Sequence, residues 1–137
     1  MKTKEEYQNE LKMEIGSQLN NPNFTGKVYG NPMVEGKDVK CTLITFEPGC
    51  INSYHIHHGS EQTIICVGGR GWYQEEGKEA VEMRPGDAIA IPTETRHWHG
   101  AAKDSWFSHI VVYSKANVGF HAEWCEPVPE EIYQKLK

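Results

Sequence analysis

From about residue 24 to Cys125, short runs rich in Val, Ile, Thr and aromatic residues alternate with Gly, Pro and Asp breaks: VKCTLITF, CINSYHIH, QTIICV, GWYQEE, EAVEM, DAIAIP, RHWHG and WFSHIVVY. Branched and aromatic side chains favour the pleated backbone, and no helical segment separates one run from the next. Strands joined directly by turns close into a sandwich or a barrel. Glu76-Gly77 and Arg84-Pro85-Gly86-Asp87 are turn sequences of that kind.

The two ends read differently. Tyr7, Leu11 and Ile15 lie at i, i+4 and i+8, which predicts a helix over residues 3–15, opened by a capping box between Thr3 and Glu6. The turn-rich GSQLNNPNFTG stops it. Pro129-Glu130-Glu131, with Lys135 and Lys137 downstream, predicts a short C-terminal helix. The expected division is an N-terminal helix and arm over 1–23, a barrel over 24–126 and a C-terminal helix over 127–137.

The chain has 137 residues, enough for one domain with a single core. Nineteen acids against fourteen Lys and Arg leave a net charge of −5, which argues against nucleic acid or an anionic membrane as partner. MKTKEEYQNE has no apolar signal core and no apolar run reaches membrane-spanning length, so a cytoplasmic protein with a small-molecule ligand is expected. None of the four cysteines sits in a CxxC pair, and they read as small apolar fillers. The alternative is a thiol beside a metal at Cys50 or Cys66.

Four of the seven histidines fall in two HxH pairs, His55-Ile56-His57 and His97-Trp98-His99. Strand side chains alternate between faces, so each pair presents both imidazoles to one side. Neutral imidazole is the commonest metal ligand, and two strands of one barrel can converge on one ion.

The spacing around the pairs is specific. Gly49 is followed by five residues, His55-x-His57, Ser60-Glu61-Gln62 and Gly68-Gly69; Pro85-Gly86-Asp87 is followed by four residues, Pro92, four residues and His97. This pattern resembles the two motifs of the cupin superfamily. The segments FEPGC, HIHH, QTIICVGGRGWYQEEGKEAVEMRPGD, IP, HWHGAAKDSWFSHI and EWCEP further resemble the cupins associated with carboxymuconolactone decarboxylases, and the cupin hydroxynitrile lyases. The resemblance implies an all-β, double-stranded β-helix (jelly-roll) barrel. It also implies one divalent ion held by His55, His57, His97 and an acidic or amide residue. Spacing alone leaves Glu61 and Gln62 open. In the resembling families the ligand is Gln, followed by Thr, an apolar run and a G-x-G-W or G-x-G-Y turn. Gln62-Thr63-Ile64-Ile65 with Gly69-Arg70-Gly71-Trp72 keeps that register, so the resemblance implies Gln62. Three imidazoles and an amide leave the ion its full double charge. Nitrogen and oxygen donors suit Mn, Fe, Co, Ni or Zn, and the resemblance favours manganese or iron.

His99 shares the inward face of His97, and on the next strand His109 shares a face with Val111 and Tyr113. In the resembling lyases, histidines at the positions matching His99 and His109 line the pocket and are proposed to handle the substrate proton. His99 is thus a candidate base or a hydrogen-bonding bystander, and His109 the second candidate. Thr42, Ile44 and Tyr113 differ from the small or amide residues usual at those pocket positions. Tyr54, His58, Trp98 and His121 read as outer-face or loop residues. Three functions are compatible with these features: a metal-dependent lyase, isomerase or decarboxylase-like enzyme; a non-catalytic binding module; and an accessory partner of a carboxymuconolactone decarboxylase-type enzyme. A homodimer is also expected, in which the segment with Phe24 and Tyr29 could add a strand to a neighbour.

Overall fold

The computed structural model describes residues 1–115 and 121–137. In chain order the elements are α1 (Lys4–Leu11), β1 (Ser17–Gln18), β2 (Val28–Glu35), β3 (Val39–Phe46), β4 (His55–His58), β5 (Gln62–Gly69), β6 (Gly71–Glu75), β7 (Val81–Met83), β8 (Ala88–Ile91), β9 (His97–Ala101), β10 (Phe107–Ser114), β11 (His121–Trp124) and α2 (Glu130–Gln134). They form two antiparallel sheets, β1-β2-β3-β10-β5-β8 and β11-β4-β9-β6-β7. Successive strands mostly cross between the sheets, which is the jelly-roll wrapping that the cupin resemblance implied; the strand pattern by itself implied a sandwich or a barrel.

Alternation along the strands builds the core between the sheets. Phe46, Ile64, Cys66, Tyr73, Met83, Ile91 and Phe107 point inward and pack together. The intervening residues of the larger sheet point outward, where Leu43 and Ile110 meet Tyr7, Leu11, Ile15, Tyr29 and Trp106. Helix α1 therefore covers the outer face of that sheet. Tyr7 stacks on Trp106, with centroids 5.0 Å apart. Its hydroxyl donates to Ser108 Oγ at 2.8 Å, and Ser108 is linked in turn to Thr45 Oγ1 at 2.7 Å. Outside the smaller sheet, Tyr133 of α2 packs with Ile51, Tyr54 and Trp98. The tight step from β5 to β6 requires Gly69: its φ is +70°, and a Cβ there would lie 1.7 Å from the Trp106 carbonyl oxygen.

The capping box forms as expected, with both hydrogen bonds between Thr3 and Glu6 present. The helix is shorter than its apolar stripe, because Lys12 adopts a left-handed cap conformation (φ 60°). Ile15 is still fully buried: the chain folds back and the Ile15 N–H donates to Gln8 Oε1 at 3.0 Å. Strand β2 (VYGNPMVE) was hidden by Gly30-Asn31-Pro32, a turn-like string. Its register against β3 shifts between Pro32 and Val34, an irregularity that accommodates the missing proline N–H. Phe24 and Tyr29 are engaged inside this chain, Phe24 edge-on to Phe46 and Tyr29 stacked on Trp106. Cys50 and Cys66 lie in the core and all four thiols are free. Burial pushes the Cys66 thiol up to about 11, as suits an apolar filler.

Candidate metal centre

Strands β4 and β9 meet at one register pair, His55 opposite His97. His57 lies two residues along β4 on the same face, so the three imidazoles converge. One nitrogen from each of His55, His57 and His97 lies within 4.8 Å of the others, and all three residues are buried. Ring centroids are 4.2 Å apart for His55–His97 and 5.0 Å for His57–His97.

The backbone fixes two tautomers. His55 Nδ1 donates to the Ser53 carbonyl at 2.9 Å, and His97 Nδ1 donates to the Thr95 carbonyl at 2.8 Å. A carbonyl can only accept, so each ring carries its proton on Nδ1 and keeps a bare lone pair on Nε2. Metal-ligating histidines are commonly oriented this way. His97 Nε2 is buried with no hydrogen-bond partner, and an unsatisfied buried lone pair of this kind is suited to ligating a cation. Burial, reinforced by His97, holds His55 well below the ordinary imidazole range and brings His57 down to about 4. Burial lowers His97 as well. The cluster is neutral at pH 7, the state a metal requires.

Gln62 opens β5 and is half-buried; it shares a face with Ile64 and Cys66, which are core residues. Its side chain therefore faces the barrel interior. Glu61 precedes the strand and is exposed.

His99 and His109 face each other deeper in the barrel, with His109 Nε2 3.2 Å from His99 Nδ1. Burial, then each other's proximity, keeps His99 well below its usual range; burial alone takes His109 down to about 3. Phe46 packs against both rings at 5.9 and 5.7 Å, and Phe107 against His109 at 5.4 Å.

Several residues at the site carried no sequence signal. Asn52 is buried; its Oδ1 accepts the His99 backbone N–H at 2.9 Å, and its Nδ2 lies 3.4 Å from each His99 ring nitrogen. Trp124 stands opposite His55 in the β11–β4 pairing, rings 4.8 Å apart. Glu75 stands opposite His97 in the β6–β9 pairing and is held by Lys78 Nζ and by the Tyr73 hydroxyl, each at 3.1 Å. Asn52 and Glu75 lay within the strand runs CINSYHIH and GWYQEE and Trp124 within EWCEP, with no role marked for any of them, and only the folded arrangement brings them to the histidines.

The outer-face residues lie where alternation places them, but not all are solvated. Trp98 and Tyr54 are buried beneath the C-terminal segment. His58 sits between Glu94 (2.5 Å) and Glu123 (2.7 Å), whose carboxylates raise its pKa, and stacks on His121. No helix among the described residues is long and apolar enough to cross a membrane.

Comparison with known proteins agrees with this architecture. A family pattern described as Cupin domain matches residues 42–113. The chain is 35% identical over 115 residues to an (R)-mandelonitrile lyase of Granulicella tundricola, covering 82% of this chain and 86% of that protein. It superposes on a cupin-like protein of Thermotoga maritima with a TM-score of 0.81 at 36% identity, over 90% of this chain and 94% of the other. The polyketide cyclase RemF of Streptomyces resistomycificus shares the fold alone, at a TM-score of 0.67 and 16% identity over 87% and 85% of the two chains. With the family pattern running through the strands that carry its histidines, the chain belongs to the cupin family.

Proposed function

We propose that this cupin is a metal-dependent enzyme of lyase type acting on a small hydroxy or carbonyl compound. His55, His57 and His97 hold one divalent ion, with Gln62 as the fourth protein ligand. Manganese or iron is favoured, and zinc, nickel or cobalt also suit the donors. When bound, the ion supplies Lewis-acid polarisation of a substrate oxygen.

The residues of the chain supply the proton chemistry. His99 is neutral, buried and behind the cluster, which suits a general base. The tautomer that frees it for this role has His99 Nδ1–H donating to His109 Nε2, leaving on Nε2 a lone pair that meets only the long 3.4 Å contact from Asn52 Nδ2. A hydroxyl proton taken at Nε2 leaves an imidazolium whose Nδ1–H is already hydrogen-bonded to His109. The substrate carbon–carbon bond then opens as its alkoxide becomes a carbonyl, and the proton returns to the departing anion. Asn52 fixes the His99 backbone, and Phe46 and Phe107 exclude water behind the pair.

The observation that carries this reading is the neutral His99–His109 pair beside a three-histidine cluster, in a chain 35% identical to a mandelonitrile lyase. Thr42, Ile44 and Tyr113 are the departures that bear on substrate. The test is turnover of mandelonitrile and of a panel of 2-hydroxy and 2-oxo compounds by manganese- or iron-loaded protein, against chelated protein. Metal-dependent cleavage supports the enzyme. No turnover across the panel, with metal-dependent ligand binding, replaces it with a binding module.

A further inference from the structure

Directly opposed strand residues project to the same side of a sheet. At the level of the three imidazoles, the inward face of the smaller sheet therefore reads Trp124, His55, His97, Glu75 across β11, β4, β9 and β6. His55 and His97 are buried, and Glu75 is held by Lys78 and the Tyr73 hydroxyl. Trp124 differs. It remains 38% exposed and joins none of the apolar clusters of the described residues, although its ring lies 4.8 Å from that of His55.

Phe24 holds the indole from one side. Its ring meets Trp124 edge-on at 6.1 Å and Phe46 of β3 edge-on at 6.2 Å, so a single phenyl touches both sheets. The Phe24 backbone bridges to Asn52, the residue that holds His99. On β3, beyond Phe46, the inward-facing Ile44 and Thr42 are only half-buried. The barrel interior between β3 and β11 is thus apolar, aromatic and incompletely packed. A tryptophan left partly in water beside desolvated imidazoles gains by covering that surface with an apolar partner, and a second ring does so best, offset or edge-on.

We propose that Trp124, backed by Phe24, is an aryl-binding subsite, and that the substrate carries an aromatic ring on the carbon bearing its hydroxyl. The proposal rests on the lyase reading and names its substrate class. Strand β4 lies between β11 and β9, and the His55 ring is 5.4 Å from His99 and 4.8 Å from Trp124. A hydroxyl at His99 and a ring two bonds from that oxygen fit this span. The ring also suits the cleavage, because it conjugates with the carbonyl that forms as the carbon–carbon bond opens. Trp124 is a specificity residue and takes no part in the proton transfer.

Calorimetric titration of metal-loaded protein with three neutral 2-hydroxy amides tests this without relying on turnover. Mandelamide, its cyclohexyl analogue and lactamide carry phenyl, cyclohexyl and methyl on the same carbinol carbon. The wild type should bind mandelamide most tightly, since only the flat ring stacks on the indole. Trp124→Leu should weaken mandelamide about tenfold, with little change for lactamide and with its metal retained. Trp124→Phe should restore most of the loss. Phe24→Leu should lower the phenyl preference as well, which keeps the test independent of the Trp124 side chain. A wild type that binds mandelamide no better than lactamide, or a Trp124→Leu variant that keeps the preference, overturns the subsite while leaving the metal-centre reading intact. Equal affinity for the phenyl and cyclohexyl compounds also overturns it, because size alone would then be recognised. So does a failure of all three amides to bind. Trp124-dependent, phenyl-selective binding with no turnover across the hydroxy and oxo panel upholds the subsite and fails the enzyme.

Discussion

His55 and His97 stand directly opposite one another between β4 and β9, their rings 4.2 Å apart, and each donates its Nδ1–H to the carbonyl two residues before it. The repeated i−2 hydrogen bond leaves both Nε2 atoms bare and ties ring orientation to the strand entry. Two imidazoles this close gain nothing from each other without a shared cation, because both are desolvated and their charged forms repel.

One divalent ion per chain should follow, measurable by elemental analysis of protein purified without chelator. His57→Ala and His97→Ala should each lose most of the metal. Chelation should lower the melting temperature of the wild type, since a ligand of the native state stabilises it by mass action. Stoichiometric metal retained by His57→Ala would remove that residue from the site.

Gln62 and Glu61 separate by face. Gln62→Ala should lower metal affinity, by the 10- to 100-fold scale typical of disturbing a ligand shell, and Glu61→Ala should leave it unchanged. Gln62→Glu should bind metal more tightly and anions more weakly, because a carboxylate cancels half the charge of the ion. Competitive metal titration with a chromophoric chelator gives the first result, and calorimetry with a small carboxylate the second.

Much of this was legible from the chain, for reasons that also explain what was hidden. Period-two alternation fixes which residues share a face, so His55 with His57 and His97 with His99 were readable as same-side pairs. Alternation within one strand says nothing about which residue of another strand lies opposite. That Tyr113 stands between Lys40 and Gln62, and Trp124 against His55, are register facts, set by turn geometry and bulges distributed around the barrel. Strand β2 was obscured because Pro32 is tolerated where the register shifts, and α1 ended early because one left-handed residue, Lys12, overrode a continuing apolar stripe. The burial of Trp98 and Tyr54 depends on Tyr133 of a distant helix, which no local pattern reports.

The metal-free protein should lose stability in acid through its buried histidines. His109 is lowered to about 3 in the folded state by burial, against about 6.5 in an unfolded chain. Between those values the unfolded chain binds a proton that the native state refuses. The contribution is therefore fully present above about pH 6.5 and is lost progressively as pH falls toward 3, at about 1.4 kcal/mol per pH unit for each such histidine. Urea unfolding of chelated protein at pH 7, 6 and 5 measures the slope. His109→Gln should make it shallower by about one histidine's share, whatever its effect on absolute stability, and an unchanged slope would mean that His109 is protonated in the native state.

His99→Ala separates proton transfer from metal binding. His99 lies on the strand of His97 and faces the same interior, but its Nδ1 is committed to His109 and it stands outside the three-nitrogen cluster. The variant should keep its metal, and its melting temperature should still fall on chelation. Turnover should drop by the hundred- to ten-thousand-fold typical of a lost general base. His97→Ala should instead lose metal and activity together. His109→Gln should have an intermediate effect, since His109 only accepts the proton that His99 holds on Nδ1. The pH dependence distinguishes a base from a packing residue: removing the base should abolish the acid-side limb of kcat/KM, whereas a cavity beneath the site would lower the whole profile without moving it. Added imidazole should partly restore His99→Ala, because the deleted ring leaves room for it between Asn52 and Phe46, the residues that now contact it. Full activity in His99→Ala would pass the role of base to His109.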